Sequence, residues 1–275
     1  PLTMDEAINN VSTIALSGQS YMISDFISEL SKERVNRVSK ETLWGKEFPY
    51  LVQKLSDNRM NLYKKTMPTT DITPIDLFPY RSEPQYGPLP EGYPSEENFP
   101  RAMDLKVNAA SGIYDVVSVY NWQEEADEKS ISFGNDLGLD PEKEYQVFDF
   151  WNQQLIGRYQ GSVNTVVPPH GTRVLIIKEH SSDPQLLATS RHITCAYSIK
   201  TMNWDEASLT LEGHSTTVTG DPYSLFVYVP DGMRVSDVDA TNGKDLAHTM
   251  KSSNLLELSL TSTQERVDWS IEFEQ

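Results

Sequence analysis

Cysteine is all but missing. Cys195 stands alone among 275 residues, so no intrachain disulfide can staple this fold. A lone thiol fits a reducing compartment without excluding secretion, and the sequence leaves the compartment open. Positive charge is also scarce, with 23 basic residues against 40 acidic ones and a net charge of −17. A surface of that sign cannot displace counterions from phosphates, which argues against a nucleic-acid partner and against an anionic membrane. A neutral ligand such as a sugar fits the balance without being demanded by it. Nothing approaches the roughly 18 consecutive apolar residues needed to span a bilayer. The chain opens at Pro1 with no Met, basic segment or apolar signal core. That opening reads as an internal boundary: a proteolytic product or a segment of a longer protein.

What is present is enough to build a core: 38% of residues are hydrophobic and 10% aromatic, so composition does not read as disordered. The length suits one large domain or two to three ordinary ones. Three regions differ in texture. Residues 1–67 read as helical. Thr3-Met4-Asp5-Glu6 is a capping-box pattern, and Ile8, Val11, Ala15 and Leu16 then fall near one helix face. Ser17-Gly18-Gln19 should end that helix. Tyr21-Met22-Ile23 is a short strand-like run closed by Ser24-Asp25. Further helices are expected through Leu30, Val35 and Val38, and over Pro49–Lys65. A helix, a buried strand and another helix form the unit of a layered α/β fold, which cannot cover its own apolar faces.

Residues 68–103 hold eight of the sixteen prolines, which excludes a helix or a central strand and predicts an extended connector. From 104 onward strands follow one another with turn signals between them. Ile113–Trp122, Tyr145–Trp151, Thr172–Ile177, Tyr223–Val229 and Leu255–Leu260 are the clearest, and Thr172–Ile177 is apolar enough for burial on both faces. Val267, Trp269, Ile271 and Phe273 alternate with polar residues, predicting one wet face. Asn242-Gly243 suits a type I′ hairpin turn. The Ser181-Ser182-Asp183-Pro184 cluster divides the region into 104–180 and 181–275, two sheets or sandwiches.

Few residues carry a chemical signal. The run Glu124-Glu125-Ala126-Asp127-Glu128 lacks the alternating ligands and central glycine of a cation loop, and reads as a solvated hairpin tip. Five scattered histidines show no zinc spacing, so no metal is expected. Cys195 and His192, three apart in a strand-like context, would face opposite ways, leaving a buried structural thiol. Trp122, Trp151, Trp204 and Tyr197 are candidate sugar-stacking platforms, although aromatics on strands are mostly core. The pairs Asp149/Glu144 and Asp104/Asp115 carry nothing that marks an acid and a base for glycoside hydrolysis. No nucleotide or hydrolase motif is present, and no cofactor is expected.

Two stretches nonetheless resemble a known family. Leu2–Ala7, Ala15–Gly18, Met22–Asp25 and Leu30–Arg34 resemble the last helix–strand–helix of the (β/α)₈ barrel in α-galactosidase-type (melibiase-like) glycoside hydrolases. Tyr114–Trp122, Leu137-Gly138-Leu139, Tyr145–Trp151, Gly157-Arg158 and Pro168–Leu175 are similar to the β-sandwich that follows that barrel, and Ser190–Thr194 continues it. The resemblance implies an α+β chain: a short helical or α/β barrel remnant over 1–67, then predominantly antiparallel β-sandwich domains. It implies a non-catalytic portion of an exo-α-glycosidase that stabilises the barrel, since the family's catalytic aspartates lie on earlier barrel strands and none is matched here. Asp25, at the end of the eighth strand, would touch substrate or order the rim. The implied partners are a glycoside substrate of the parent enzyme and the rest of the barrel. A carbohydrate-binding sandwich using Trp204, or a structural protein, is the alternative.

Overall fold

The computed structural model describes residues 3–17, 72–76, 101–195 and 198–275. Helix α1 (Met4–Ser17) begins where its capping box places it. The Thr3 amide donates to Glu6 Oε2 at 2.5 Å and the Glu6 amide donates to Thr3 Oγ1 at 3.3 Å, so two orphan donors of the first turn are satisfied reciprocally. Asp5 and Glu6 also complement the positive end of the helix dipole. Ile8, Asn9, Ser12 and Leu16 form its buried side. The expected strand at Tyr21–Ile23, the two later helices and Asp25 lie outside the described residues.

The other described residues build antiparallel β-structure in four sheets. The largest runs β1 (Ile72–Asp76), β2 (Ala102–Ala109), β3 (Gly112–Tyr120), β8 (Thr172–Glu179), β5 (Glu144–Asp149) and β6 (Gln154–Gln160) in that spatial order. A two-stranded ribbon pairs β4 (Asp127–Ser132) with β7 (Ser162–Val167). A third sheet runs β14 (Gly243–Ser252), β15 (Leu255–Ser262), β12 (Pro222–Tyr228) and β9 (Gln185–Thr189). A fourth runs β10 (Ile199–Asp205), β11 (Thr210–Thr216), β16 (Arg266–Glu274) and β13 (Arg234–Thr241). The five-residue β1 lies within the proline-rich stretch. Its Pro74 is tolerated because β1 occupies a sheet edge, where a missing amide need not break a ladder.

Period-two side-chain alternation turns these sheets into stacked layers. On β8, Leu175 and Ile177 face the β4–β7 ribbon in one core with Val117, Val147, Phe133 and Val163. Its Val174 and Ile176 face the third sheet in another core with Phe148, Phe226, Tyr228 and Leu187. The strand is therefore buried on both faces, as its composition predicts. The third and fourth sheets close on a further core built from Leu225, Val227, Leu258, Trp269 and Ile271. The chain leaves the six-stranded sheet at Glu179 and enters the third at Gln185.

Two local expectations are corrected. Asn242-Gly243 is not a hairpin turn, because β13 pairs with β16 and β14 with β15. It is a corner at which the chain passes from one sheet to the next. Asn242 has φ 59, but Gly243 is not left-handed as a type I′ turn requires. The backbone of Gly243 instead approaches Leu260, whose Cδ2 would lie 3.2 Å from an added Cβ. The acidic run is solvated as expected, but it opens a crossover from β3 to β4, strands of different sheets, and is not a hairpin tip.

Candidate functional site

Three sequence features converge at one end of the six-stranded sheet and meet α1. After β5, Asp149 shapes a turn: its Oδ1 accepts the Asn152 amide at 3.2 Å and its Oδ2 accepts Asn152 Nδ2 at 2.7 Å. That turn presents Trp151, edge-on to Phe150 at 5.4 Å. The indole Nε1–H donates to Ser12 Oγ at 3.0 Å. Ser12 is fully buried, so the hydroxyl has no recourse to water.

The second turn, Val167–Gly171, precedes β8 and is tied down by Asn121. Buried Asn121 donates through Nδ2 to the carbonyls of Glu125 at 2.7 Å and of Val167 and Pro168 at 3.2 Å each, while its Oδ1 accepts the Gln123 amide at 3.0 Å. Gly171 permits the tight return, since a Cβ there would sit 2.6 Å from Pro168 Cγ. His170 takes φ 49, and its carbonyl accepts Asn9 Nδ2 at 3.1 Å. Leu16 completes the contact by entering the core that holds Val174, Ile176 and Phe226. The arrangement is a platform for a helix: two hydrogen bonds fix its register and apolar burial supplies its adhesion.

Asn9 and Ser12 went unrecognised in the sequence. Their signal was two polar residues on the face that Ile8 and Leu16 mark as buried. The residues that were singled out fall elsewhere. Trp204 lies half-buried on β10, edge-on to Phe273 at 5.8 Å and 70°, with its Nε1 unbonded among the described residues. Trp122 stacks on Tyr120 at 5.6 Å. Asp25 and Tyr197 are outside the described residues. Cys195 is buried, and burial pushes its thiol up to about 12, while burial lowers neighbouring His192 to about 3. A thiol that stays protonated near pH 7 and an imidazole of such low basicity suit neither nucleophile nor base. The segment is not strand-like, however. The Cys195 amide donates to the His192 carbonyl at 3.0 Å in a turn, with Cys195 at φ 60.

Asp104 and Asp115, unremarkable in the sequence, are brought together with Lys106 between them. Lys106 Nζ donates to Asp115 Oδ2 and to the Leu137 carbonyl. It stands 3.1 Å from Asp104 Oδ2, an ion-pair contact outside hydrogen-bond geometry. Burial, then the Asp115 charge, pushes the Asp104 carboxyl up to about 7, and burial also raises Asp115. Both carboxylates are almost fully enclosed, so the cluster is an internal ionic joint and not an open acid–base pair. Glu144, by contrast, lies 3.6 Å from Arg158 at the surface, and Asp149 is occupied by its turn. Among the described residues no group of three or more His, Cys, Asp or Glu is placed to hold a metal, and no helix is long and apolar enough to cross a membrane.

Residues 108–177 match the model of the α-galactosidase C-terminal β-sandwich domain. No curated protein matches the chain. Among solved structures, α-galactosidase I from Mortierella vinacea is 13% identical, with a TM-score of 0.39 over 64% of this chain and 36% of that one. The α-galactosidase of Saccharomyces cerevisiae with raffinose is 12% identical, TM-score 0.39, over 66% and 44%. Isomalto-dextranase of Arthrobacter globiformis T6, complexed with panose, is 12% identical, TM-score 0.39, over 98% and 45%. The chain thus spans less than half the length of each, and at these scores the likenesses carry no further weight. The matched segment runs from β2 to β8 and contains Asn121, Asp149, Trp151 and His170; over residues 108–177 the chain is therefore similar to the C-terminal β-sandwich domain of α-galactosidases, consistent with a C-terminal part of an α-galactosidase-like enzyme.

Proposed function

We propose that this chain is the non-catalytic C-terminal portion of an exo-α-glycosidase of the α-galactosidase kind, and that it stabilises the catalytic barrel by clamping the barrel's last helical elements. In this reading residues 1–67 supply the end of the barrel and 68–103 connect it to the sandwich. Residues 104–180 form the clamp, and 181–275 form a second β-unit packed behind it. Asp25 would stand at the rim of the barrel, against a glycoside substrate held by the parent enzyme. One observation carries the reading. The turns that hold α1 are built from the family's own signature residues, Trp151 bonding Ser12 and the His170 carbonyl bonding Asn9.

Two experiments test it. Limited proteolysis of the purified chain should leave α1 attached to the β-region, and early loss of residues 3–17 with the sheets intact would contradict the clamp. Incubation of the same chain with an aryl α-galactoside should release no nitrophenol; turnover abolished by substitution of a residue in this chain would overturn the non-catalytic assignment. A stacking role for Trp204 is the second reading, favoured by its only partly buried place on edge strand β10. Retardation on a carbohydrate affinity gel that disappears in Trp204→Ala would support it.

A further inference from the structure

The outward face of the fourth sheet is polar from edge to edge, and the ladder register sets its side chains in rows. Thr201, His214, Asp268 and Thr241 lie directly opposite one another across β10, β11, β16 and β13. One pleat along, Asn203, Glu212, Ser270 and Asp239 form a second row. Strands stand about 4.8 Å apart and alternate residues about 7 Å apart, so the two rows make a lattice the size of one or two sugar rings. A groove of about 440 Å³ lies along it, lined by these two rows. Beneath it the sheet is closely packed: Gly213 leaves room for the Trp269 ring, whose Cζ2 would stand 2.4 Å from an added Cβ.

Most functional groups in the groove are uncommitted, Thr241 and Asp268 being bonded to one another. Thr201, Asn203, Glu212, Ser270 and Asp239 make no side-chain hydrogen bond or ion pair within the described structure, although Asp268 is held by Arg266 at 2.6 Å. Hydroxyl, amide and carboxylate groups at regular spacing accept and donate in the pattern that vicinal hydroxyls require, and an acceptor that is ionised makes the stronger bond. Three carboxylates in the two rows repel any anion. The groove exposes polar and apolar surface in nearly equal measure, as a sugar ring does.

We propose that this groove is a binding site for a neutral, hydroxyl-rich ligand, namely an uncharged oligosaccharide. Asp239 and Glu212 accept sugar hydroxyls, and Asn203 fixes the orientation. The site is separate from the α1 platform and does not depend on the clamp reading. It also differs from a stacking site, since no aromatic side chain lies in either row.

The test is ¹⁵N shift mapping of the whole chain with raffinose and with an α-1,6-linked glucose trisaccharide as neutral probes. Oligogalacturonate serves as the anionic control and calcium as the competing cation. Saturable shifts confined to β10, β11, β16 and β13 with a neutral probe, about tenfold weaker or lost in Asp239→Asn/Glu212→Gln, are expected. Glu272→Gln, on β16 of the same sheet but beyond the groove, should bind as the parent does, which separates loss of these two acceptors from a general loss of surface charge. Absence of saturable shifts with both probes, equal binding of oligogalacturonate, or saturable shifts with calcium alone would overturn the proposal.

Discussion

Asp104 lies on β2 with Lys106 two residues on and Asp115 across the ladder. Its carboxyl is raised to about 7 mainly because burial disfavours the charged form more than one shared lysine favours it. An unfolded aspartate titrates near 3.9, so between about pH 4 and pH 7 the unfolded chain has released a proton that the folded chain keeps. The contribution of this residue to stability is therefore present at low pH and lost as pH rises through about 7. Asp104→Asn keeps the shape and removes the charge. Its melting temperature relative to the parent should rise between pH 5 and pH 8, and a difference that falls over that range would contradict the assignment. At the platform, Trp151→Phe and Ser12→Ala should each destabilise the chain, with a coupling of about 0.5–1.5 kcal/mol in a urea double-mutant cycle. Zero coupling would mean that the 3.0 Å bond contributes nothing. Neither site was readable from the sequence as a contact: Ser12 and Trp151 are 139 positions apart, and the proximity of Asp104 to Asp115 exists only once β2 and β3 are in register. His170 was readable only as part of a family signature, and Trp151 as such a signature or as a sugar-stacking candidate; neither reading says that they hold α1.

Elements were far more legible. The Val- and Tyr-rich run of β3, the doubly buried β8 and the one-sided β16 follow from side-chain period and composition, because burial on one face or both is written into adjacent residues. The capping box of α1 is likewise local. The Asn242-Gly243 corner failed for the opposite reason. Turn propensity is a property of two residues, whereas the strand each side joins is decided by β15 and β16, well downstream. The same long-range packing makes Gly213 sensitive. An added methyl would meet Trp269 Cζ2 at 2.4 Å and the Thr201 carbonyl at 2.8 Å. Since the carbonyl belongs to a paired neighbouring strand, Gly213→Ala should cost about 1–3 kcal/mol by urea unfolding. Asn121→Ala should loosen the platform turn by removing the side-chain amide that ties the carbonyls of Val167 and Pro168 to that of Glu125, at about 1–3 kcal/mol. A neutral outcome for either would show that the local backbone relaxes freely.

At the scale of the molecule, the described residues form a stack of β-layers with helix α1 set against the face and end of the largest sheet. Leu16 shares a core with both the six-stranded and the third sheet, so docking the helix and closing the layers are physically linked. A 14-residue helix is marginal by itself in water, and lasting order in α1 must come from the surface that receives it. Native-state amide hydrogen exchange reads this directly. The amides of residues 8–16 should be protected to a degree approaching β3 and β8, and Trp151→Phe should lower that protection about tenfold while leaving the two strands nearly unchanged. Exchange of α1 at the rate of a free peptide, with β3 and β8 still protected, would contradict the claim that the sandwich holds the helix.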